Sequence, residues 1–151
     1  MVSYLFCKNW LFLQSEEFMK KILTVGVFDL LHFGHIELFR KAKALGDHLI
    51  VAVQDAEYVT KFKPEAKLTY TTEQRCYMIA AIRYVDEVVV YKTAESIVQE
   101  VDFDVFARGP DQTNDSFVAA EKWCAAHNKE VTILPRTEGI STSMLKMSFK
   151  K

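Results

Sequence analysis

The chain has 151 residues, half of them hydrophobic and 26% charged, with a net charge of −1. That length fits a single domain able to bury about 70% of the surface of its extended form, and the near-zero charge excludes broad electrostatic binding to nucleic acid or to an anionic membrane. Three cysteines form no CxxC pair, which fits a reducing, cytoplasmic setting, and no run approaches the ~20 apolar residues of a membrane span.

Residues 1–18, "MVSYLFCKNWLFLQSEEF", are apolar and aromatic but lack the basic start and cleavage site of a signal peptide. "MKKILTVGVFD", from Met19, reads as a natural start. Residues 1–18 are therefore expected to be an extension, non-native or disordered, with an extra helix covering an apolar surface as the alternative, ahead of a domain over 19–151. Ile22–Val27 is a β-branched run that predicts a strand, and Phe33–Leu45 a helix stopped by Gly46. Leu38, Ala42 and Leu45 share one face of that helix, while Glu37 and Lys41 are spaced for an ion pair on the other. His48–Val53 is a second strand, apolar enough to be buried on both faces. A polar, lysine-bearing stretch (Asp55–Tyr70) leads to Thr71–Gln74, a capping box that opens a helix to about Ile82. Then come a strand over Asp86–Tyr91, a helix over Ala94–Val101, a strand over Asp104–Arg108, a helix over Ser116–His127 and a strand over Glu130–Pro135. "RTEGISTSMLK" leads into a last helix. Five strands alternating with helices predict an α/β fold, a Rossmann-like doubly wound five-stranded parallel sheet. Ligands of such sheets sit beyond the carboxyl ends of the strands. That singles out Phe28–His35, Gln54–Lys63, Gly109–Asp111 and Arg136–Ser143.

Within "VGVFDLLHFGH" (Val25–His35), His32 and His35 stand three apart where a strand turns into a helix. Metal binding, phosphate binding, nucleophilic chemistry and plain packing compete as explanations. GxGxxG, GxxxxGK[ST] and GxSxG are all absent, and a metal site would lack a third ligand nearby unless Asp29 served. The phosphate reading uses every part. A helix N-terminus offers free N–H groups, Gly34 permits close approach, and two imidazoles supply donors for charge that develops on a leaving group. Elsewhere, ordinary roles compete with functional ones. Lys61 and Lys63 fit a solvated loop, Ser141–Ser143 a helix cap, Arg83 a pairing with Asp86 or Glu87, and Arg75 the surface of its helix.

"GVFDLLHFGH" resembles the HxGH motif of the nucleotidyltransferase superfamily, and "RTEGISTS" (Arg136–Ser143) resembles its second motif. With "RYVDEV" (Arg83–Val88), the likeness over residues 19–147 is closest to the glycerol-3-phosphate cytidylyltransferase branch. The resemblance implies an enzyme that transfers CMP from CTP to a small phosphorylated alcohol and releases pyrophosphate, with phosphate-bound Mg²⁺ and no protein cage for a metal. It implies that His32 and His35 are catalytic, binding the CTP phosphates and stabilising the transition state inside a pocket formed by Val27, Phe28 and Gly34. Lys61 would be catalytic and contact acceptor phosphate, and Lys63 would contact the nucleotide phosphates. Arg136, Thr137, Gly139, Ile140, Ser141, Thr142 and Ser143 would bind CTP, with Arg136 also catalytic, and Asp29, Arg83 and Asp111 would lie on the substrate side. Relatives are homodimers through the RYVD region, so the same is expected here. Val27 stands where threonine is frequent, no lysine is found near Ile97, and "GPDQTND" replaces an acidic and aromatic run. These departures leave the acceptor open, its variable part expected against "GPDQTND" and the Ala94–Val101 helix. An adenylyltransferase of the same superfamily, making an ADP-sugar or flavin nucleotide, and a catalytically silent nucleotide-binding module are the alternatives.

Overall fold

The computed structural model describes residues 19–150; the expected extension over 1–18 lies outside them. Strands β1 (Lys21–Gly26), β2 (His48–Gln54), β3 (Glu87–Tyr91), β4 (Val105–Arg108) and β5 (Glu130–Ile133) form one sheet in the order β3-β2-β1-β4-β5. Every pairing is parallel, as expected. The described helices are α1 (Phe33–Lys43), α2 (Ala56–Phe62), α3 (Thr72–Ala80), α4 (Ala94–Glu100), α5 (Asp115–Ala126) and α6 (Thr142–Ser148). No described helix is long and apolar enough to cross a membrane.

The central strand explains the two-sided burial. Leu23 and Val25 point into one core with Ile97 and Val98 of α4 and Phe117 and Ala120 of α5. Ile22 points into the other, with Phe39 and Ala42 of α1 and Ile79 of α3. Alternation across the sheet thus fills both layers, as a doubly wound architecture requires.

Three expectations need correction. The Asp55–Tyr70 stretch is not loop throughout: it holds α2, capped by Asp55, whose Oδ1 accepts from Glu57 N at 2.8 Å. Only Val59 of this helix is buried, so its apolar signal is a single residue. Glu37 pairs with Arg40 rather than Lys41, because the guanidinium spans both carboxylate oxygens at 3.0 and 2.9 Å. Lys41 instead reaches Pro135 O at 3.4 Å. Arg75 is not on the surface of α3 but wholly buried. The Thr71–Gln74 capping box forms as read, with both reciprocal bonds present.

Thr24 is wholly buried in β1 and its hydroxyl has no hydrogen-bond partner among the described residues. Thr24→Val replaces that hydroxyl with a methyl of nearly the same shape, and should stabilise the domain by about 1 kcal/mol. Thermal unfolding should show a rise of about 2–4 °C; a fall would mean that the hydroxyl is satisfied in solution.

Candidate active site

A cavity of about 460 Å³ opens between the carboxyl ends of β1 and β4, where the strand order reverses. Its floor is the β1–α1 turn. β1 stops at Gly26, where a Cβ would stand 2.7 Å from the Phe28 ring. Phe28 and Leu30 then take left-handed backbone angles (φ 55° and 49°), a strained pair that must be held from outside. Asp29, between them and only 3% exposed, supplies the hold. Its carboxylate accepts from Thr69 N at 2.9 Å and Tyr70 N at 3.1 Å and pairs with Lys146 of α6 at 3.1 Å. Its backbone oxygen accepts from Thr142 Oγ1 at 3.0 Å. Burial opposes ionisation of Asp29, but the bonds from Thr69, Lys146 and Tyr70 outweigh it and keep the carboxyl below its ordinary range.

The histidines cap α1 with their own rings. His32 Nδ1 accepts from Gly34 N at 3.0 Å, and His35 Nδ1 accepts from His32 N at 3.3 Å. Because each Nδ1 is an acceptor, the proton of each neutral ring lies on Nε2. The rings stack 3.8 Å apart, and Phe28 meets His35 edge-on at 5.4 Å. Gly34 serves this arrangement first: a Cβ there would stand 2.9 Å from the His32 ring. Burial lowers the pKa of His32, helped by the Arg136 charge. Burial, then the proximity of His32, pushes His35 down to about 4, against the opposing pull of Asp29. Two neutral imidazoles therefore offer Nε2–H donors rather than positive charge.

Most of the expected site residues meet here. Val27, Phe28, Asp29, His32, Gly34 and His35 line one side of the cavity, and Lys63 lies on another. Asp111 and the Arg136–Ser143 segment complete it, with Arg136 Nη1 3.4 Å from Asp111 Oδ2. Within that segment Glu138 and Gly139 do not touch the cavity; the φ of 81° at Gly139 supplies the turn that returns Ile140 to it. Ser141 caps α6, accepting from Met144 N at 3.2 Å.

Other residues stand elsewhere. Lys61 is not a lining residue, because α2 puts Val59 and Lys63 on its cavity face and turns Lys61 to within 5.4 Å of the Tyr58 ring. Arg83 precedes β3 at the amino ends of the strands, the far end of the sheet from the cavity. It pairs with neither expected acid: Asp86 takes Lys43 and Glu87 takes His48. No residue of α4 lines the cavity, so within one chain that helix is not a wall for the acceptor.

Arg75 was the least visible contributor. Its Nη1 donates to Val27 O and Gln54 O, both at 2.8 Å, tying the ends of β1 and β2 under the turn. Its spacing with Ile79 and Ile82, four and seven residues on, was the available signal. Lys146 was also missed; besides pairing with Asp29 it donates to Lys67 O at 2.7 Å. Among the described residues no three His, Cys, Asp or Glu side chains group as metal ligands.

The depressed pKa of His35 makes a pH prediction. The unfolded chain takes up this proton near pH 6.5 and the folded chain only near 4, so His35 favours folding fully above about 6.5. That contribution should shrink as pH falls from 6.5 towards 4. Proton–carbon NMR should show the His35 ring neutral until the pH approaches 4; titration near 6.5 would contradict the burial argument.

Comparison with known proteins places this geometry. The cytidylyltransferase-like family matches residues 23–148. Glycerol-3-phosphate cytidylyltransferase of Bacillus subtilis (strain 168) is 42% identical over 131 residues, which is 85% of this chain and 95% of that protein. The protein of the same name from Staphylococcus aureus (strain NCTC 8325 / PS 47) is 44% identical over 131 residues, 85% of this chain and 93% of its own length. Among solved structures, the lipopolysaccharide core biosynthesis protein of Thermoplasma volcanium GSS1 superposes with a TM-score of 0.64 at 26% identity, covering 79% of this chain and 97% of that one. A match across nearly every described element, joined to histidine caps that hold donors at the sheet's switch point, means that the chain belongs to the cytidylyltransferase-like family.

Proposed function

We propose that this protein transfers CMP from CTP to a small phosphorylated alcohol, glycerol 3-phosphate or a close analogue. A phosphate oxygen of the acceptor attacks the α-phosphorus of CTP in line. The bond from that phosphorus to the bridging oxygen breaks, and pyrophosphate leaves. The observation that carries the reading is the pair of neutral Nε2–H imidazoles capping α1, facing the Arg136–Ser143 segment across one cavity. Such donors can follow negative charge as it builds on the bridging and terminal oxygens, without first losing a proton of their own. Both close relatives described above carry this activity in their names.

Within the cavity, Arg136 and the Thr137–Ser143 segment take the nucleotide, and Lys63 neutralises phosphate from the opposite side. Lys61 is left to guide an anionic acceptor from outside. Asp29 acts indirectly, since its carboxylate oxygens are already engaged. That engagement also fits magnesium carried on the triphosphate: the cavity offers only exposed Asp111 as a further carboxylate, and such an ion keeps most of its ligands as phosphate and water. Bound there, magnesium would offset phosphate charge. We also infer a homodimer through the Arg83–Val88 region and a cytoplasmic setting, with neither nucleic acid nor membrane as a partner.

CTP with magnesium should raise the melting temperature more than ATP at equal concentration, and pyrophosphate should be released with CTP and glycerol 3-phosphate or a similar acceptor. A larger ATP shift together with turnover of a flavin or sugar phosphate would assign the chain to adenylyl transfer. Binding without release under any combination would leave a silent module.

His32→Asn separates the two jobs of that side chain. Asparagine is a good N-cap, so the folded state should hold, while loss of the Nε2 donor should lower kcat by about 10²–10³. Steady-state rates and a melting curve check both halves; near-normal turnover would make His32 structural.

A further inference from the structure

Arg108, the last residue of β4, is only 8% exposed and lines no part of the cavity. Its Nε donates to a Glu121 carboxylate oxygen on α5, and its Nη1 donates to Gly109 O at 2.8 Å. The N–H of Gly109 donates in turn to Gln112 Oε1 at 2.9 Å, and Gln112 Nε2 donates to Val25 O, also at 2.9 Å. Both backbone polar groups of Gly109 are therefore held by side chains, one anchored to α5 and one to the end of β1. A Cβ at Gly109 would stand 3.0 Å from Asp111 Oδ1, the end of an exposed side chain. The four residues Gly109–Gln112 are irregular, contain a proline, and all line the cavity beside Arg136. The segment closes its own turn, Gln112 N donating to Gly109 O at 3.4 Å, and the side-chain ties fix where that turn stands.

We infer that Arg108, fixed by Glu121, is a positioning residue for the nucleotide: it sets the Gly109–Gln112 wall against which the nucleoside end of the triphosphate lies. The inference rests on the proposed function only in taking a nucleoside triphosphate as occupant, its nucleoside on the Arg136 side. The buried pair acts at a distance, since neither partner touches the cavity. What it controls is where Asp111 and the Gly109 peptide stand relative to the base and ribose. The phosphate end, over the α1 caps, is built on the β1–α1 turn, which Asp29 and Arg75 brace from other elements.

The test compares calorimetric binding of CTP, ATP and inorganic tripolyphosphate to the wild type, Arg108→Met, Glu121→Gln and Gln112→Leu. Each variant should bind the preferred nucleotide about tenfold more weakly, because a wall displaced by a fraction of an ångström no longer fits the nucleoside. Tripolyphosphate should bind as to the wild type. In steady state the KM for the nucleotide should rise by more than kcat falls. Arg108→Lys keeps a cation beside Glu121 but loses the fork, and should fall between wild type and Arg108→Met. Unchanged nucleotide affinity, or equal weakening of nucleotide and tripolyphosphate, would overturn the inference. If Arg108→Met does not fold, Glu121→Gln, which also leaves the cavity lining untouched, decides it by the same criteria. A wild type that prefers ATP would remove the cytidylyl reading and leave this comparison intact, with ATP as the probe.

Discussion

One buried carboxylate holds three distant segments in register. The side chain of Asp29 gathers the α2–α3 connection through Thr69 and Tyr70 and the last helix through Lys146, while its own backbone oxygen takes Thr142. It sits between two residues in left-handed conformations, so the turn it occupies would relax if left to itself. Charge-assisted bonds in a desolvated place are strong and directional, and removing one partner leaves the other uncompensated. Arg75 supplies the second brace from beneath, on the carbonyls of Val27 and Gln54. Its Nη2 donates to Thr72 Oγ1 at 3.2 Å, and its Nε has no partner among the described residues.

With the turn fixed, the chemistry of the histidines follows from their backbone bonds. A helix N-terminus leaves N–H groups unsatisfied, and here imidazole nitrogens rather than hydroxyls or carboxylates satisfy two of them. The choice has two consequences at once. It pins each ring in place through Nδ1, and it assigns the remaining proton to the nitrogen left for a ligand. Burial then keeps both rings neutral, so the donors are ready in the ground state across the physiological range. A carboxylate cap at position 32 would satisfy the same backbone group while repelling a phosphate.

Much of this was legible from residue order. Strand composition and the apolar spacing of α1 gave the sheet and its direction, and the position of chemically distinctive residues after strands gave the cavity. The histidines, Gly34 and the Arg136–Ser143 segment could be placed because they lie close to element boundaries that the sequence marks clearly. What escaped depended on helical phase or on long-range pairing. Lys61 and Lys63 are equivalent in a loop, and only the existence of α2, with its single buried residue, decides that Lys63 faces inward. Arg75 was obscured because charge argues for the surface until two carbonyl acceptors, contributed by other strands, are known to meet it. The ties on Gly109 were similarly hidden, since Glu121 and Val25 are distant from it in sequence.

The strand order has a consequence for how the molecule comes into being. β1, β2 and β3 are neighbours in both sequence and space, but the other flank of β1 is filled by β4, with Ile22 opposite Val105. On the ribosome, the first three strands and their helices emerge and can pair while that flank is still bare. The gap closes only after residue 108 has been made, because the contact spans most of the chain and carries a high loop-closure entropy. Until then the central strand would present a short, apolar, unpaired edge, the kind of surface that invites association with another chain. The catalytic crevice opens at that same seam, so it is completed among the last features of the fold.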